Sequence, residues 1–557
     1  MPNAPTAGAV SVDAGFAQVS TATRPFHEDR FIGPPGTGKT TALSGAIRYY
    51  AGLHGIENVV AVSHTRAAAA ELANHKDEHG RTTPLPAENI GTLHSFAYRA
   101  IGHMPLAEDP KTLPGFQEAH PEFPMACEGD PDDFEFRVNP EGGAALADYS
   151  RLRNLEEPRE SYLWSTETLR FATVWEDYKK QTGSIDFADM IEIAANDTTS
   201  ATQNPAIMVL DECQDTSKLQ WRLVNRWASA PGCERIITAG DPDQAIFVWG
   251  GADPTYLRDN QPDREKILSQ SFRVPRAPHA LAMQWIRSVT NRADVNYLPR
   301  DADGRVLRTK AMHTSVEPLL PLIEKRLGEG KTVMIQTACG YMLKDALTVL
   351  RREGIPFSNP WRTKQAAWNP LNLDREGSTC GSIADFLALH TYGRDWTKDE
   401  ALSWLHITKG LLRRGGKSDF VARVKECDNV MSLLASEFIN EEDLVDAIGD
   451  LPGCIDWLEQ HLLAARKPAS AFPLSIARLH GAKAISEKPR LYIGTCHSFK
   501  GSEADTVIVF PDLSRQGYMQ WRGGGQDELR RLFYVAMTRT REELVLGSPS
   551  GNMAVWA

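Results

Sequence analysis

Eight consecutive residues, Gly33-Pro34-Pro35-Gly36-Thr37-Gly38-Lys39-Thr40, have the spacing of a loop that cradles a triphosphate. Its glycines let backbone N–H groups curl around a β-phosphate at a helix N-terminus, and Lys39 reaches the β/γ oxygens. The Thr40 hydroxyl is a ligand of the kind magnesium takes, and Thr41 continues the same first turn. An ordinary Gly-rich turn is the plain alternative; a short apolar strand before the loop and a helical pattern after it argue against that. Further along, Ile207-Met208-Val209-Leu210 runs into Asp211-Glu212. A buried strand ending in two acids delivers both carboxylates to the edge of a sheet, where parallel sheets bind their ligands. There Asp211 would hold the magnesium and Glu212 would take a proton from the attacking water. Two acids after a strand are common by themselves; the pairing with the loop gives them chemical meaning.

These residues need a sheet to position them, and the pattern supplies one. RFIG leads into the loop and the helical TTALSGAIRYYAGL, and NVVAVS precedes TRAAAAELANH. Strand and helix then alternate again at AIMVLDE, RIITAGD, KTVMIQT with YMLKDALTVLRREG, LYIGTCH, DTVIVFPD, ELRRLFYVAMTRT and ELVLGSP. Such alternation predicts parallel sheets covered by helices. Two stretches break it. From about residue 104 the chain turns to Pro, Asp, Glu and Gly-rich sequence such as MACEGDPDDFEF before the helical TLRFATVWEDYKKQ. From about residue 361 to 474 it is helical in pattern, with DFLALH, ALSWLHITKGLLRR and EEDLVDAIGDLPGCIDWLEQHLLAA as apolar-periodic pieces. Both read as insertions. No internal repeat is visible, which argues against a solenoid or propeller.

Composition bounds the remaining classes. At 557 residues the chain exceeds one hydrophobic core, and three or four domains are expected. The net charge of -11 argues against a wholly basic nucleic-acid coat, so any strand contact must be local. Eight scattered cysteines with no CxxC pair suit reduced thiols, with neither a disulfide framework nor a zinc or iron–sulfur site. No basic-then-apolar leader and no membrane-length apolar run is present, so a cytoplasmic protein away from membranes is expected.

The residues around the acidic pair bring in a family. Asp211-Glu212-Cys213-Gln214-Asp215 resembles the DExQD box of superfamily 1 helicases, with Cys213 where Ala is usual. The other boxes of that family occur in register. HTRAAAAEL (64–72), GTLHSFAYR (91–99) and IDFADM (185–190) resemble motifs Ia, Ib and the DFxDL box. AGDPDQAIFVWGGADP (239–254), SQSFR (269–273), TCHSFKGSEADTVIV (495–509) and FYVAMTRTREEL (533–544) resemble motifs III to VI. The run from Gln244 to Trp249 is similar to the UvrD/Rep branch. The resemblance implies an α/β fold of two RecA-like P-loop parallel-sheet motor domains with two mainly helical insertions. Segments 1–103 and 185–252 would form motor domain 1A, and 253–360 and 475–557 motor domain 2A. Segments 104–184 and 361–474 would be insertions 1B and 2B. It also implies an ATP-dependent 3′-to-5′ DNA helicase or translocase, with ATP and Mg2+ as cofactors and single-stranded and forked duplex DNA as partners.

The resemblance further assigns roles. Arg273 and Arg539 match two arginines that stabilise the γ-phosphate charge when a cleft between the motor domains closes; in isolation each would read as a surface ion-pair residue. Gln244 would sense the γ-phosphate or its water, and Glu503 the nucleotide sugar. Phe272 stands where a Tyr usually stacks on adenine. The family's adenine-reading glutamine pattern is absent upstream of the loop, and Gln18 stands at a plausible distance in surroundings that do not otherwise match. On the strand side, Trp249 and Phe247 would be the stacking platform. His64, Thr65, Arg66, Thr92, His94, Thr495 and His497 match strand-contact positions, His64 replacing a Phe and Gly250 a usual Arg. His497 lacks the companions of a metal site. Rival readings stay open: a translocase that strips proteins from single strands, an RNA-directed helicase, and a P-loop switch without motor activity. The shortness of the chain after motif VI argues against a fused nuclease, and a monomer or weak dimer is expected.

Overall fold

The structure, a computed structural model, describes residues 17–18, 26–64, 66–76, 80, 82, 85–109, 111–123, 125, 144–202, 204–293, 295–360, 362, 365–371, 373, 377–411, 416–438 and 441–556. It divides into two compact units. The first comprises Met1–Val306, Lys500–Glu503 and Arg515–Leu544, and the second Leu307–Phe499, Ala504–Ser514 and Val545–Ala557.

In the first unit, strands β1 (Ala17–Gln18), β2 (His27–Ile32), β3 (Val59–Ser63), β4 (Ile90–Thr92), β5 (Ile207–Leu210), β6 (Arg235–Gly240) and β7 (Arg264–Ile267) form one sheet in the order β1-β7-β2-β6-β5-β3-β4. Every pairing is parallel except β1 with β7. The alternation of strand side chains sets the two faces. Phe31, Val59, Ala61, Ile207, Val209 and Ile237 pack on one side with Leu43 and Ile47 of helix α1 (Lys39–His54). Val60, Val62, Met208, Leu210 and Ile236 pack on the other. That second face is covered by α3 (Leu93–Ala100), α7 (Phe187–Asp197) and α8 (Lys218–Ala228), while α2 (Arg66–Asn74) follows β3. Runs buried on both faces are what a parallel sheet demands.

Strand β2 begins earlier than its apolar pattern suggests. Glu28, Asp29 and Arg30 are all buried in it. Arg30 donates to Glu28 at 2.7 Å, and Asp29 accepts from Arg235 at 2.7 Å and from Arg264. Pairing makes burial tolerable for these charges, a compensation that a hydropathy pattern does not register.

The stretch from 104 to 184 is helical where described: α4 (Leu113–Ala119), α5 (Ala144–Asn154) and α6 (Thr166–Thr182) pack around Phe116, Tyr149, Phe171 and Trp175. Most of MACEGDPDDFEF lies outside the described residues. Helix α6 is capped by Ser165, whose hydroxyl accepts from Thr168 N–H, and ends at left-handed Gly183. Strands β8 (Gln270–Pro275) and β9 (Leu298–Arg300), which come after β7 in the chain, pair with each other in parallel.

In the second unit, β11 (Val333–Thr337) lies between β12 (Leu491–Thr495) and β13 (Ala504–Val509) and pairs in parallel with both. The division passes through β10 (Arg305–Arg308) and β14 (Thr540–Leu546). Residues 371–485 build a separate helical core around Phe386, Trp404 and Trp457. Two expected helices end early there. ALSWLHITKGLLRR leaves its helix at Leu405, and β-branched Thr408 makes an antiparallel bridge to Leu462 instead. EEDLVDAIGDLPGCIDWLEQHLLAA divides into Glu441–Ala447 and Leu451–His461, because Asp450 caps a new helix with Pro452 in its first turn.

Candidate active site and strand pocket

The phosphate-type loop leaves the end of β2 and enters α1 through Gly38. Gly36 and Gly38 take φ of 73° and 85°, a region that side chains disfavour. Gly33 N–H donates to Gly240 O at 3.1 Å, tying the loop to β6, and the Thr37 hydroxyl donates to Pro34 O at 2.8 Å. Lys39 Nζ donates to Gly33 O at 2.7 Å, which folds the ammonium back over the loop. No side chain caps the N-terminus of α1, so Gly38, Lys39, Thr40 and Thr41 present their N–H groups unclaimed by a capping side chain. The residues of β8 form the facing wall. Phe272 N–H donates to Gly36 O at 2.8 Å, and Ser271 Oγ and Tyr297 OH reach Pro35 O at 3.0 and 2.8 Å. Phe272 itself is 71% exposed, its ring available for stacking.

Asp211 and Glu212 leave the carboxyl end of β5 on this same edge. Burial, then the neighbouring Glu212 carboxylate, push Asp211 up to about 7. Burial would raise Glu212 too, but the Lys500 and Lys39 ammonium groups and a hydrogen bond from Gln214 overturn it and hold Glu212 at about 2. Glu212 also sits at φ 54°, a left-handed conformation unusual for a residue with a side chain. Cys213 is fully buried, its thiol pushed well up by burial, so the Ala-to-Cys departure places an inert small side chain in the core.

The arginines converge on these groups. Arg539, 2% exposed, donates to Gln244 Oε1 at 3.0 Å, and Gln244 donates on to Asp241 at 2.8 Å. Burial and the Arg273 guanidinium work against the Arg539 charge, while Glu212 and Glu503 favour it. Arg273 lies against the loop, where a Cβ on Gly36 would come 2.4 Å from its own Cβ. Glu503 binds both Arg273 and Arg541, and these two cations outweigh burial to hold it below its ordinary value. Lys39, Asp211, Glu212, Gln244, Arg273, Glu503 and Arg539 thus meet within one unit.

A second cavity on this unit is lined by His64, Thr92, His94, Phe187, Asp215 and Gly250. His64 stacks on Phe247 at 5.5 Å and 25°, and Phe247 meets Trp249 edge-on at 6.4 Å. Trp249 is half-buried in the single turn Val248–Gly250. Gly250, in place of the usual Arg, accepts a hydrogen bond from Asn154 at 3.2 Å. His94 contacts Phe187 edge-on. Thr92 is the N-cap of α3, its hydroxyl accepting from Ser95 N–H at 3.2 Å. Thr495 in the second unit does the same for Ser498 N–H at 3.2 Å, and His497 beside it is half-buried. Thr65 lies outside the described residues; Arg66 opens α2 and Gln18 pairs with Arg264 at the sheet edge, with their side chains undescribed.

Sequence reasoning missed four groups. Gln214 donates from one amide nitrogen to Glu212 and accepts from Asp241 N–H at 2.9 Å, which joins the ends of β5 and β6. Asp215 is buried and lines the second cavity. Lys500 binds Asp215. Glu71 in α2 is raised by burial, with Arg273, Glu212 and Glu503 as its next influences. Gln214, Asp215, Glu71 and Lys500 all lie inside boxes already singled out. A short repeat was also overlooked: GTLHSF at 91–96 recurs as GTCHSF at 494–499, each time ending a strand in the same Thr–Ser turn.

Comparison with known proteins agrees with this arrangement. Residues 28–249 match an AAA domain, and residues 490–546 match the UvrD-like helicase C-terminal domain. YjcD of Bacillus subtilis is 26% identical over 247 residues, covering 41% of this chain and 32% of that protein. PcrA of Staphylococcus epidermidis, named an ATP-dependent DNA helicase, is 26% identical over 43% of this chain. The chain belongs to the UvrD/Rep-like superfamily 1 helicases. PcrA of Staphylococcus aureus is 28% identical over the same share of the chain. In the matches with these UvrD-like relatives the alignment spans 32% to 35% of each relative's length. Among the described residues no helix is long and apolar enough to cross a membrane.

Proposed function

We propose that this chain hydrolyses ATP to move 3′ to 5′ along single-stranded DNA and to separate duplex strands. One observation carries the reading: a phosphate-type loop, a carboxylate pair and two arginines share a sheet edge with the aromatic and histidine-lined cavity. In this reading Lys39 and the N–H groups of residues 36–41 bind the triphosphate, Phe272 stacks on the base and Glu503 exchanges its arginine partners for the sugar. Glu212 accepts the proton of the attacking water, oriented by Gln214 and by Gln244. Arg273 and Arg539 compensate the charge that develops on the γ-phosphate.

The donor set also fits a magnesium ion. Thr40 and Asp211 offer hard oxygen ligands, and the raised Asp211 sits in an acid-rich edge that favours an added cation. Bound there with the triphosphate, Mg2+ would neutralise phosphate charge. On the strand side, Trp249, Phe247, His64, Arg66, Thr65, Thr92 and His94 would hold bases and phosphates, joined by Thr495 and His497. Segments 1–103 with 185–252, and 253–360 with 475–557, are proposed as the motor domains 1A and 2A. Segments 104–184 and 361–474 are proposed as 1B and 2B.

Strand displacement on duplexes with 3′ or 5′ tails, with phosphate release recorded in parallel, tests the proposal. ATP-dependent displacement of the 3′-tailed substrate is expected. Displacement from the 5′ tail alone reverses the polarity, and strand-stimulated hydrolysis without displacement makes the protein a translocase.

A further inference from the structure

One side chain touches residues of both the candidate nucleotide site and the cavity beside Asp215. Lys500 comes directly after the second GT-x-HSF segment, at the position that buried Ala97 holds after the first. Its side chain is 6% exposed. The ammonium binds Asp215, donates to Gln244 O at 2.9 Å and stands 3.8 Å from Glu212 Oε2. It also lies 5.2 Å from the centre of the Phe247 ring. These four partners divide into two groups. Glu212 and Gln244 belong to the nucleotide side, Gln244 being the residue that Arg539 engages. Asp215 lines the proposed strand cavity, and Phe247 carries the stacked His64 on that cavity's wall.

A buried ammonium is costly unless every donor is satisfied, so its position follows the groups around it. A displacement of Phe247 or Asp215 by a bound base therefore changes where Lys500 rests against Glu212 and the Gln244 backbone. We propose that Lys500 is the positioning residue through which an occupied strand cavity alters the alignment of Glu212 and Gln244 for hydrolysis. The inference rests on the proposed ATP and strand functions and names the residue that couples them. Lys500 itself reaches the reaction only through Glu212 and Gln244.

The test compares wild type, Lys500→Met and Lys500→Arg by steady-state ATP hydrolysis with and without a single-stranded oligodeoxythymidylate. The measured quantity is the ratio of strand-saturated to strand-free kcat, recorded together with KM for ATP and strand affinity by anisotropy. Coupling between two sites commonly amounts to about 5–150-fold. Lys500→Met is expected to lower the stimulation ratio by about fivefold or more while both ligands still bind, a kcat effect that loosened packing alone would not isolate. Lys500→Arg retains the cation and is expected to recover part of the ratio. Where the Met variant melts early, Asp215→Asn decides, because it removes the nearest carboxylate with little change of shape; its ratio is expected to fall likewise. A wild-type ratio in a folded Lys500→Met or Asp215→Asn protein overturns the inference alone. A wild type that no single strand stimulates overturns the proposed function and this inference with it.

Discussion

Glu212 remains an anion because two ammonium groups and a glutamine outweigh its burial, so its exact chemistry matters more than its shape. Glu212→Gln preserves the side-chain outline but cannot take a proton. Hydrolysis is expected to drop by about 10²–10⁴ while nucleotide binding survives, as phosphate release and a fluorescent-nucleotide titration would read together. Gly36 tests the loop from another direction. A side chain there must adopt a φ of 73° and enter the space of the Arg273 Cβ at 2.4 Å. Gly36→Ala is expected to weaken ATP binding by about 1–3 kcal/mol, measured by the same titration. At this scale the sequence was legible wherever chemistry is encoded by adjacent residues, as in the loop and in Asp211-Glu212. It was silent on Lys500, because an ion pair to Asp215 spans 285 positions and leaves no local trace.

The junction of α6 and α7 shows what an element requires to hold its place. Asp186 caps α7 in a reciprocal box with Asp189, accepts from Trp175 Nε1 at 3.1 Å and binds Lys179. Lys179 and Asp186 expose 6% and 1% of their side chains. Lys179→Met would strand a buried carboxylate and is expected to cost about 3–5 kcal/mol, visible as a lowered thermal midpoint. The pH dependence originates in Asp186. Burial alone would raise it, yet Lys179, Arg153 and the capping bonds hold it below the usual carboxylate range. A depressed folded value means the pair's stabilisation is present above the ordinary aspartate range and disappears as pH falls through the folded value. The gap between wild type and Lys179→Met is therefore expected to narrow in melts taken below about pH 4, the ordinary aspartate value. The sequence revealed IDFADM as a family box; that its two acids hold a helix start is visible only with α6 in place. Strands announced by continuous apolar runs were legible, whereas charged β2 and the bridge from Thr408 to Leu462 depend on partners remote in the chain.

Compactness gathers Lys500–Glu503 and Arg515–Leu544 with residues from the first half of the chain. The grouping is what brings Arg539 to Gln244 and Glu503 to Arg273. Charge is the other property of the molecule as a whole. A net charge of -11 opposes a polynucleotide at long range, so under the proposed function affinity would come from contacts inside the cavity. The rings that line it, His64, His94 and Phe187, offer faces and edges more than fixed cations. Stacking releases few counterions, whereas each neutralised phosphate on a single strand contributes about -0.7 to the slope of log K against log salt. A slope near -2, about three phosphates, is expected for oligodeoxythymidylate binding followed by anisotropy across a potassium chloride series. Trp249→Ala should then remove about 1–3 kcal/mol of affinity, the worth of one stacked base, at every salt concentration and leave the slope unchanged. A slope near -6, or a Trp249→Ala loss that vanishes at high salt, would locate the grip on a basic track elsewhere and separate it from the cavity beside Asp215.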